Sequence, residues 1–148
     1  MATTVEAFYR TGAAPTLLRS AGDVEALIDA VLAEPFDNSV ITLYSAARPL
    51  MESGVPDHEL RIAINAEGKV GGIRYAGDDG RDEGSWYVPG QTSSREEVFY
   101  YYCGHDQGWP DDSEVTIEQV RQAVREFVDG DGVRPWGFEW ADWPERVA

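Results

Sequence analysis

Two side chains in this sequence could supply a nucleophile and its base. Cys103 and His105 are separated by one glycine, and a cysteine thiol becomes an effective nucleophile when a base such as histidine lies within hydrogen-bond reach. Such a pair would suit a small hydrolase or transferase. No catalytic signature surrounds the two residues, and an unpaired cysteine is commonly a buried packing residue. We therefore predict that the chain is not an enzyme and has no catalytic residues.

Metal and phosphate sites are not indicated either. His58 and His105 are the two histidines, and the sequence lacks the zinc-binding spacings CxxC and HExxH. The acidic residues between Asp78 and Glu83 could gather around calcium, but they lack the alternating ligands and distal glutamate of a calcium loop. The segment Gly68–Gly72 lacks the phosphate-binding order GxxxxGK[ST]. We expect no metal and no cofactor.

The strongest signal in the sequence is its negative charge. The chain carries 27 Asp and Glu against 12 Lys and Arg in 148 residues, for a formal net charge of −15. Ten of the acidic residues, with two basic ones, lie between Gly77 and Glu114. This charge excludes nucleic acid as a direct ligand because phosphates would be repelled. A protein with a basic surface is the expected partner, since opposite charge steers and accelerates association.

Aromatic residues are interleaved with these acidic ones. They are Trp86, Tyr87, Tyr100, Tyr101, Tyr102 and Trp109. Successive side chains of a strand point to opposite faces, so either Tyr101 or the pair Tyr100 and Tyr102 must point away from the core. Outward Trp and Tyr often anchor protein interfaces, whereas inward rings are ordinary core residues.

Two helices and about six strands would position these residues. Apolar residues at helical spacing from Val24 to Leu32 predict a first helix, capped by Ser20 or Asp23 and stopped by Pro35. A second helix begins with the capping box Thr116 and Gln119, continues as an apolar stripe to Phe127, and ends at Gly130 and Gly132. The predicted strands are Ser39–Ala46, Leu60–Asn65, Val70–Ala76, Ser85–Val88, Glu97–Cys103 and Trp136–Trp140.

These elements predict an α+β fold with about six short, mostly antiparallel strands in one sheet and two main helices. The turn Asn65–Gly68 would join a central hairpin, and Gly71–Gly72 within it indicates a bulge or a close backbone approach. The length favours one domain spanning residues 1–148. Residues 1–19 lack periodicity and are expected to form a loosely ordered lead-in.

The sequence also suggests a compartment. No apolar stretch approaches the roughly 18 residues of a membrane span, and the first ten residues lack the basic head and apolar run of a signal peptide. Cys103 is the single cysteine, so no internal disulfide can form. We expect a cytoplasmic protein without membrane association, present as a monomer or weak homo-oligomer when free.

A wider pattern extends from about Leu60 to Trp140, in the order and spacing of short runs. The runs are Tyr75–Gly80, Ser85–Tyr87 with Gly90, Tyr100–Tyr102 with Gly104, Pro110–Val115, Val120–Arg121, Ala123–Phe127, Arg134–Pro135 and Glu139–Trp140. Together they resemble the first immunity-protein family of bacterial polymorphic toxin systems. The resemblance implies a non-catalytic protein that binds a secreted toxin encoded beside it, usually of the nucleic-acid deaminase type.

Charge and resemblance favour the same partner. A toxin that acts on DNA or RNA needs a basic cleft for phosphates, and an acidic inhibitor can occupy that cleft. We predict a contact surface in which carboxylates meet toxin Arg or Lys and rings fill pockets, made of Asp78, Asp79, Asp82, Glu83, Trp86, Tyr87, Trp109, Asp111 and Asp112. The alternatives are a small enzyme built on Cys103 and His105, and a non-catalytic scaffold for another basic protein.

Overall fold

The computed structural model describes residues 4–79 and 81–145 of the chain. In these ranges eight strands form one large sheet, two more form a separate hairpin, and two α-helices pack against the large sheet. The predicted α+β class is confirmed, with more strands than expected. The elements are β1 (Val5–Phe8), β2 (Thr16–Leu18), α1 (Ala21–Leu32), a 3-10 helix (Phe36–Asn38), β3 (Val40–Ser45), β4 (His58–Asn65), β5 (Val70–Asp78), β6 (Glu83–Tyr87), β7 (Val98–Tyr102), β8 (His105–Trp109), β9 (Val115–Thr116), α2 (Ile117–Asp129) and β10 (Ala141–Asp142).

Neighbouring strands of the large sheet are antiparallel. Their order is β10-β6-β5-β4-β3-β1-β2, and β9 pairs with the first residues of β5. The central hairpin of β4 and β5 keeps an unbroken register along all eight residues of β4. The turn predicted between these strands forms, and in it the Asn65 side-chain oxygen accepts the Gly68 backbone N–H at 3.0 Å.

Both predicted helices form and cover one face of the large sheet. Ser20 caps α1 by accepting the Asp23 backbone N–H at 3.2 Å, and Thr116 and Gln119 form the predicted capping box of α2. The main core between helices and sheet includes Val24, Leu27, Ile28, Leu60, Ile62, Ile64, Val120, Val124 and Phe127. Burial of each such side chain contributes roughly 1.5–3 kcal/mol to the free energy of folding.

Neither helix in the described part of the chain has the length and apolar character that a membrane crossing requires.

The opposite face of the sheet carries a second, smaller core. The hairpin of β7 and β8 packs there, and its residues Tyr100 and Trp109 join Val40 and Ala63 of the large sheet. Trp109 lies so close to Gly72 that a Cβ atom at that position would stand 2.7 Å from the indole ring. The predicted irregularity in β5 is therefore a close approach and not a bulge, since the register is unbroken.

The segment before α1 differs from the loosely ordered lead-in that we expected for residues 1–19. Residues 1–3 lie outside the described ranges, but β1 and β2 form one edge of the large sheet beside β3. Val5 and Leu18 are fully buried there. The two strands have only four and three residues, which is too short for an alternating pattern to stand out in the sequence.

The strand predicted at Trp136–Trp140 is wrong. The segment is irregular because its backbone bonds to a side chain instead of a neighbouring strand: the Gly137 N–H donates to the Glu126 carboxylate at 2.7 Å. Pairing with β6 begins directly afterwards, in β10. The Trp136 side chain is left exposed.

Candidate functional site

Cys103 and His105 belong to the turn of the small hairpin. Cys103 and Gly104 are its two central residues, with φ angles of 49° and 83°, and Tyr102 pairs with His105 across the turn. Two consecutive positive φ angles define a two-residue turn that matches the twist of antiparallel strands. Cys103 is half-buried and His105 is exposed. Cys103 and His105 therefore lie close together because both belong to a tight hairpin turn.

Within the described residues, no group of three or more His, Cys, Asp or Glu side chains is placed to hold a metal ion. His58 is buried, and both of its ring nitrogens have partners in the protein. Nε2 accepts the Ser45 backbone N–H at 2.8 Å, and Nδ1 lies 3.0 Å from the Asp57 carboxylate, to which it donates. Burial lowers the pKa of His58 below its ordinary value in spite of that carboxylate. The neutral ring links the end of β3 to the start of β4.

The acidic turn between β5 and β6 contains four of the nine predicted contact residues. The Asp79 side chain points inward, is only 6% exposed, and pairs with Arg134 at 3.3 Å. Its carboxylate also accepts the backbone N–H groups of Arg81 at 2.9 Å and Asp82 at 2.7 Å. Burial opposes ionisation of Asp79, but these donors and the Arg134 charge outweigh it and lower its pKa. Asp79 organises the turn, while Asp78, Asp82 and Glu83 are exposed.

Trp86 and Tyr87 lie on opposite faces of β6. Trp86 packs against the main core, and the Arg134 guanidinium lies over its ring at 4.3 Å from the centroid. Tyr87 is 8% exposed and meets the Trp143 ring edge-on at 5.9 Å. Its hydroxyl donates to the Asp112 carboxylate at 2.8 Å. Burial and that carboxylate together raise the pKa of Tyr87 to about 12.

Trp109 is a core residue, with only 2% of its surface exposed. Its ring lies between Tyr100, at 5.6 Å, and Trp143, at 5.2 Å between centroids. Tyr100 and Tyr102 both face this second core, whereas Tyr101 points away and meets Phe36 edge-on. The alternation expected on this strand is therefore present, with Tyr101 as the residue that faces away from the second core.

Seven of the nine predicted contact residues, all except Trp86 and Trp109, fall into two groups at opposite ends of β6. The acidic turn precedes the strand, while Tyr87 and its partner Asp112 lie at the other end, with exposed Asp111 beside them. A five-residue strand separates its ends by about 13 Å, at roughly 3.3 Å per residue. The structure therefore brings Asp78, Asp79, Asp82 and Glu83 together, and it places Asp111 and Asp112 apart from them.

A group of exposed hydrophobic side chains lies outside the predicted contact residues. Seven large hydrophobic residues are exposed in the described part of the chain, and five of them lie in two loops. Leu50, Met51 and Val55 are in the loop between β3 and β4, and Val133 and Trp136 follow α2. Trp136 is the most exposed of the seven, at 62%. The available signal was an apolar Leu50–Met51 pair in a segment without helix or strand periodicity.

These two loops and the acidic turn meet at one end of the sheet. We call them together the three-loop end, which comprises residues 46–57, 78–79, 81–83 and 130–136. Direct contacts join the segments: the Asp78 backbone N–H donates to the Asp57 carbonyl at 2.9 Å, and Arg134 pairs with Asp79. The acidic turn thus lies between an apolar loop on one side and the segment after α2 on the other.

Half-buried and buried hydrogen bonds converge beneath the three-loop end. Arg48 donates to the Tyr75 hydroxyl at 3.0 Å and to the Gly132 carbonyl at 3.2 Å, and it pairs with Asp57 at 2.9 Å. The Tyr75 hydroxyl lies 2.8 Å from the Gly132 carbonyl and 2.9 Å from the Asp78 carbonyl, either of which can accept its proton. One arginine and one tyrosine therefore fix the relative positions of all three segments.

Comparison with known protein families places this chain among the immunity proteins. The family model described as immunity protein Imm1 matches residues 5–142, nearly the whole chain. The chain therefore belongs to the Imm1 family of immunity proteins, and the resemblance stated from residues 60 to 140 is confirmed over a longer range. No curated protein matches the sequence. Membership of an immunity family implies that the partner is a toxin.

Proposed function

We propose that this protein is a non-catalytic inhibitor that binds and neutralises a cognate toxin, and that this toxin is a nucleic-acid-modifying deaminase. The observation that carries the proposal is the family match over residues 5–142. The charge supports the finer statement about the toxin, because an enzyme that acts on DNA or RNA needs a basic surface for phosphates. A chain with a formal charge of −15 complements such a surface.

The proposed contact surface keeps all nine predicted residues but divides their roles. Asp78, Asp82, Glu83 and Asp111 are exposed and would meet toxin Arg or Lys directly. The remaining five would support those contacts from below, and they are Asp79, Trp86, Tyr87, Trp109 and Asp112. Trp109 in particular is buried in the second core and would not enter a toxin pocket.

Binding alone would account for neutralisation. Exposed carboxylates would speed the encounter with a basic cleft, and apolar contacts would slow dissociation. A standard interface buries about 800 Å² on each partner, which is enough to cover a nucleic-acid cleft. The inhibitor would act in the cytoplasm of the producing cell and would be a monomer or weak homo-oligomer when free.

Co-expression tests the proposal directly. The toxin domain encoded beside this chain should kill a bacterial host when expressed alone, and the host should survive when this chain is co-expressed. A fold-breaking variant, Leu27→Asp in the main core, should not protect. Failure of the parent chain to protect, at expression that matches the toxin, would overturn the inhibitor proposal. Purified toxin that cleaves nucleic acid without deaminating it would overturn the deaminase assignment alone.

The charge contribution has its own test. The double variant Asp82→Asn/Glu83→Gln should slow association with the toxin domain about tenfold at low salt and reduce its salt dependence, because steering depends on net charge at the interface. Glu67→Gln/Glu96→Gln removes the same charge from exposed positions outside the acidic turn and should change the rate less than twofold. Stopped-flow fluorescence measures both. Equal rates for the two double variants would remove the acidic turn from the proposed surface.

A further inference from the structure

We infer that the toxin docks on the three-loop end and that Trp136 is the central anchor of that interface. This inference rests on the proposed function and deepens it, because it moves the centre of the contact surface away from Asp111 and Asp112. Trp136, Leu50, Met51, Val55 and Val133 make up most of the large hydrophobic surface exposed in the described residues. Trp136 is the most exposed of them, and tryptophan is among the residue types most enriched at binding hot spots.

The patch is supported from below, which reduces the cost of ordering it on binding. Arg48 and Tyr75 hold the three segments together through the hydrogen bonds described above. Trp136 itself lies against the end of α2: a Cβ atom at Gly130 would stand 3.0 Å from the Trp136 ring. An exposed ring with such support can bind a partner without first becoming ordered.

Two open grooves flank the patch and suit different toxin side chains. One has a volume of about 440 Å³ and is lined by Trp136, Phe138 and Trp140 together with the charged residues Asp79, Arg81 and Arg134, so it fits an aromatic side chain with a polar edge. The other, of about 420 Å³, is lined by Met51, Val55 and Glu59 among others, and the Glu59 carboxylate already pairs with Arg61 and accepts the Tyr44 hydroxyl. A Lys or Arg side chain could therefore pack its methylene groups on Met51 and Val55 and keep its charged end in solvent.

Charge identifies the occupant as a basic protein. The rim of the three-loop end carries exposed Glu52, Asp82, Glu83 and Asp131 against exposed Arg81. A second copy of this chain is disfavoured, because a two-fold interface would place the same acidic rims against each other. The matching partner surface carries apolar residues together with Lys and Arg, as expected for a protein that also binds phosphates.

Trp136→Ala is the decisive variant. It should raise the dissociation constant for the toxin domain encoded beside this chain by about 30-fold or more, which is the scale of a hot-spot truncation. The triple variant Leu50→Ser/Met51→Ser/Val55→Ser should raise it about tenfold. The matched controls outside the patch are Phe36→Ala and Leu17→Ser, whose parent side chains are 39% and 42% exposed. Each control should change the dissociation constant less than threefold. Titration calorimetry with an inactive toxin domain measures all four.

The outcomes separate the two proposals. If the parent chain binds and both patch variants bind equally well, the three-loop end is not the docking surface, while the proposed function stands. If the parent chain does not bind the toxin domain, the proposed function fails and this inference fails with it. Circular dichroism and thermal melting confirm folding, and the triple variant decides the matter if Trp136→Ala melts early. A dimer of the free protein that Trp136→Ala dissociates, seen by sedimentation, would assign the patch to a second copy instead.

Discussion

The central β4–β5 hairpin ends in two different ways, and the contrast explains which parts of this molecule are sensitive to change. At the Asn65–Gly68 turn the defining hydrogen bond joins residues three positions apart. At the three-loop end, Arg48 bonds to the carbonyl of Gly132, which lies 84 positions further along the chain. One end is determined by its own few residues, whereas the other is assembled from three distant segments.

This difference has a consequence for binding. A surface assembled from distant segments keeps its shape only if the contacts beneath it persist, so single substitutions below the surface should disturb all three segments together. Substitutions in the local turn should have local effects. Matched substitutions at the two ends should therefore differ in how far their effects extend.

Replacement of glycine by alanine should show the largest contrast. Gly132 has a φ of 92°, and a Cβ atom there would stand 2.6 Å from Ser45 Cβ. Gly132→Ala should therefore cost about 2–4 kcal/mol of unfolding free energy, from backbone strain and overpacking together. At Gly68 the nearest atom is the end of the flexible Asn65 side chain, at 3.2 Å, and Gly68→Ala should cost less than about 0.5 kcal/mol. Urea unfolding measures both, and equal losses would show that the three-loop end is no more constrained than the turn.

Loss of an arginine should give the next largest contrast. Arg48→Gln removes donors from Tyr75 and Gly132 and the ion partner of Asp57, so it should destabilise the fold by about 1–3 kcal/mol. Arg10 forms a bidentate pair with Glu34 on the surface, but its side chain is 57% exposed. Arg10→Gln should leave the melting temperature unchanged within error, because exposed ion pairs are screened by water. A larger loss from Arg10→Gln than from Arg48→Gln would contradict the importance assigned to the buried network.

Local signals in the sequence were sufficient for much of the fold. The stripe from Val24 to Leu32, the capping box of Thr116 and Gln119, and the alternation of β4 each depend on residues close in sequence, and each prediction is confirmed. The family resemblance was also readable, because it rested on the order of several short runs. The α+β class followed from these elements.

The orientation of aromatic side chains could not be predicted in the same way. Trp109 and Tyr87 are buried because the β7–β8 hairpin and Trp143 cover the second face of the sheet, and that contact joins distant parts of the chain. Trp136 was assigned to a strand from an alternating pattern, yet Gly137 bonds to Glu126 in α2 and the ring is exposed. The candidate surface therefore depends on tertiary packing that local patterns do not encode.

The smallest predicted effect concerns pH and compares two histidines. Burial lowers the pKa of His58 in the folded protein, so the unfolded chain, with an ordinary value of about 6.5, binds more protons below that pH. The contribution of neutral His58 to stability is complete above pH of about 6.5 and is lost as the pH falls below it. The lowered pKa values of Asp57 and Asp79 add a further loss only in the more acidic range of carboxyl titration. Calorimetry should thus show a falling melting temperature between about pH 7.5 and about pH 5.

His58→Gln should flatten that slope, because glutamine does not titrate and can still accept the Ser45 N–H. His105→Gln changes an exposed histidine in the small hairpin and should preserve the slope of the parent protein. The pair of variants therefore separates the effect of the buried His58 ring, which lies beside the three-loop end, from the effect of losing any histidine. A slope that persists in His58→Gln and disappears in His105→Gln would mean that His58 is not held neutral, and that the link between β3 and β4 is not what acid disrupts.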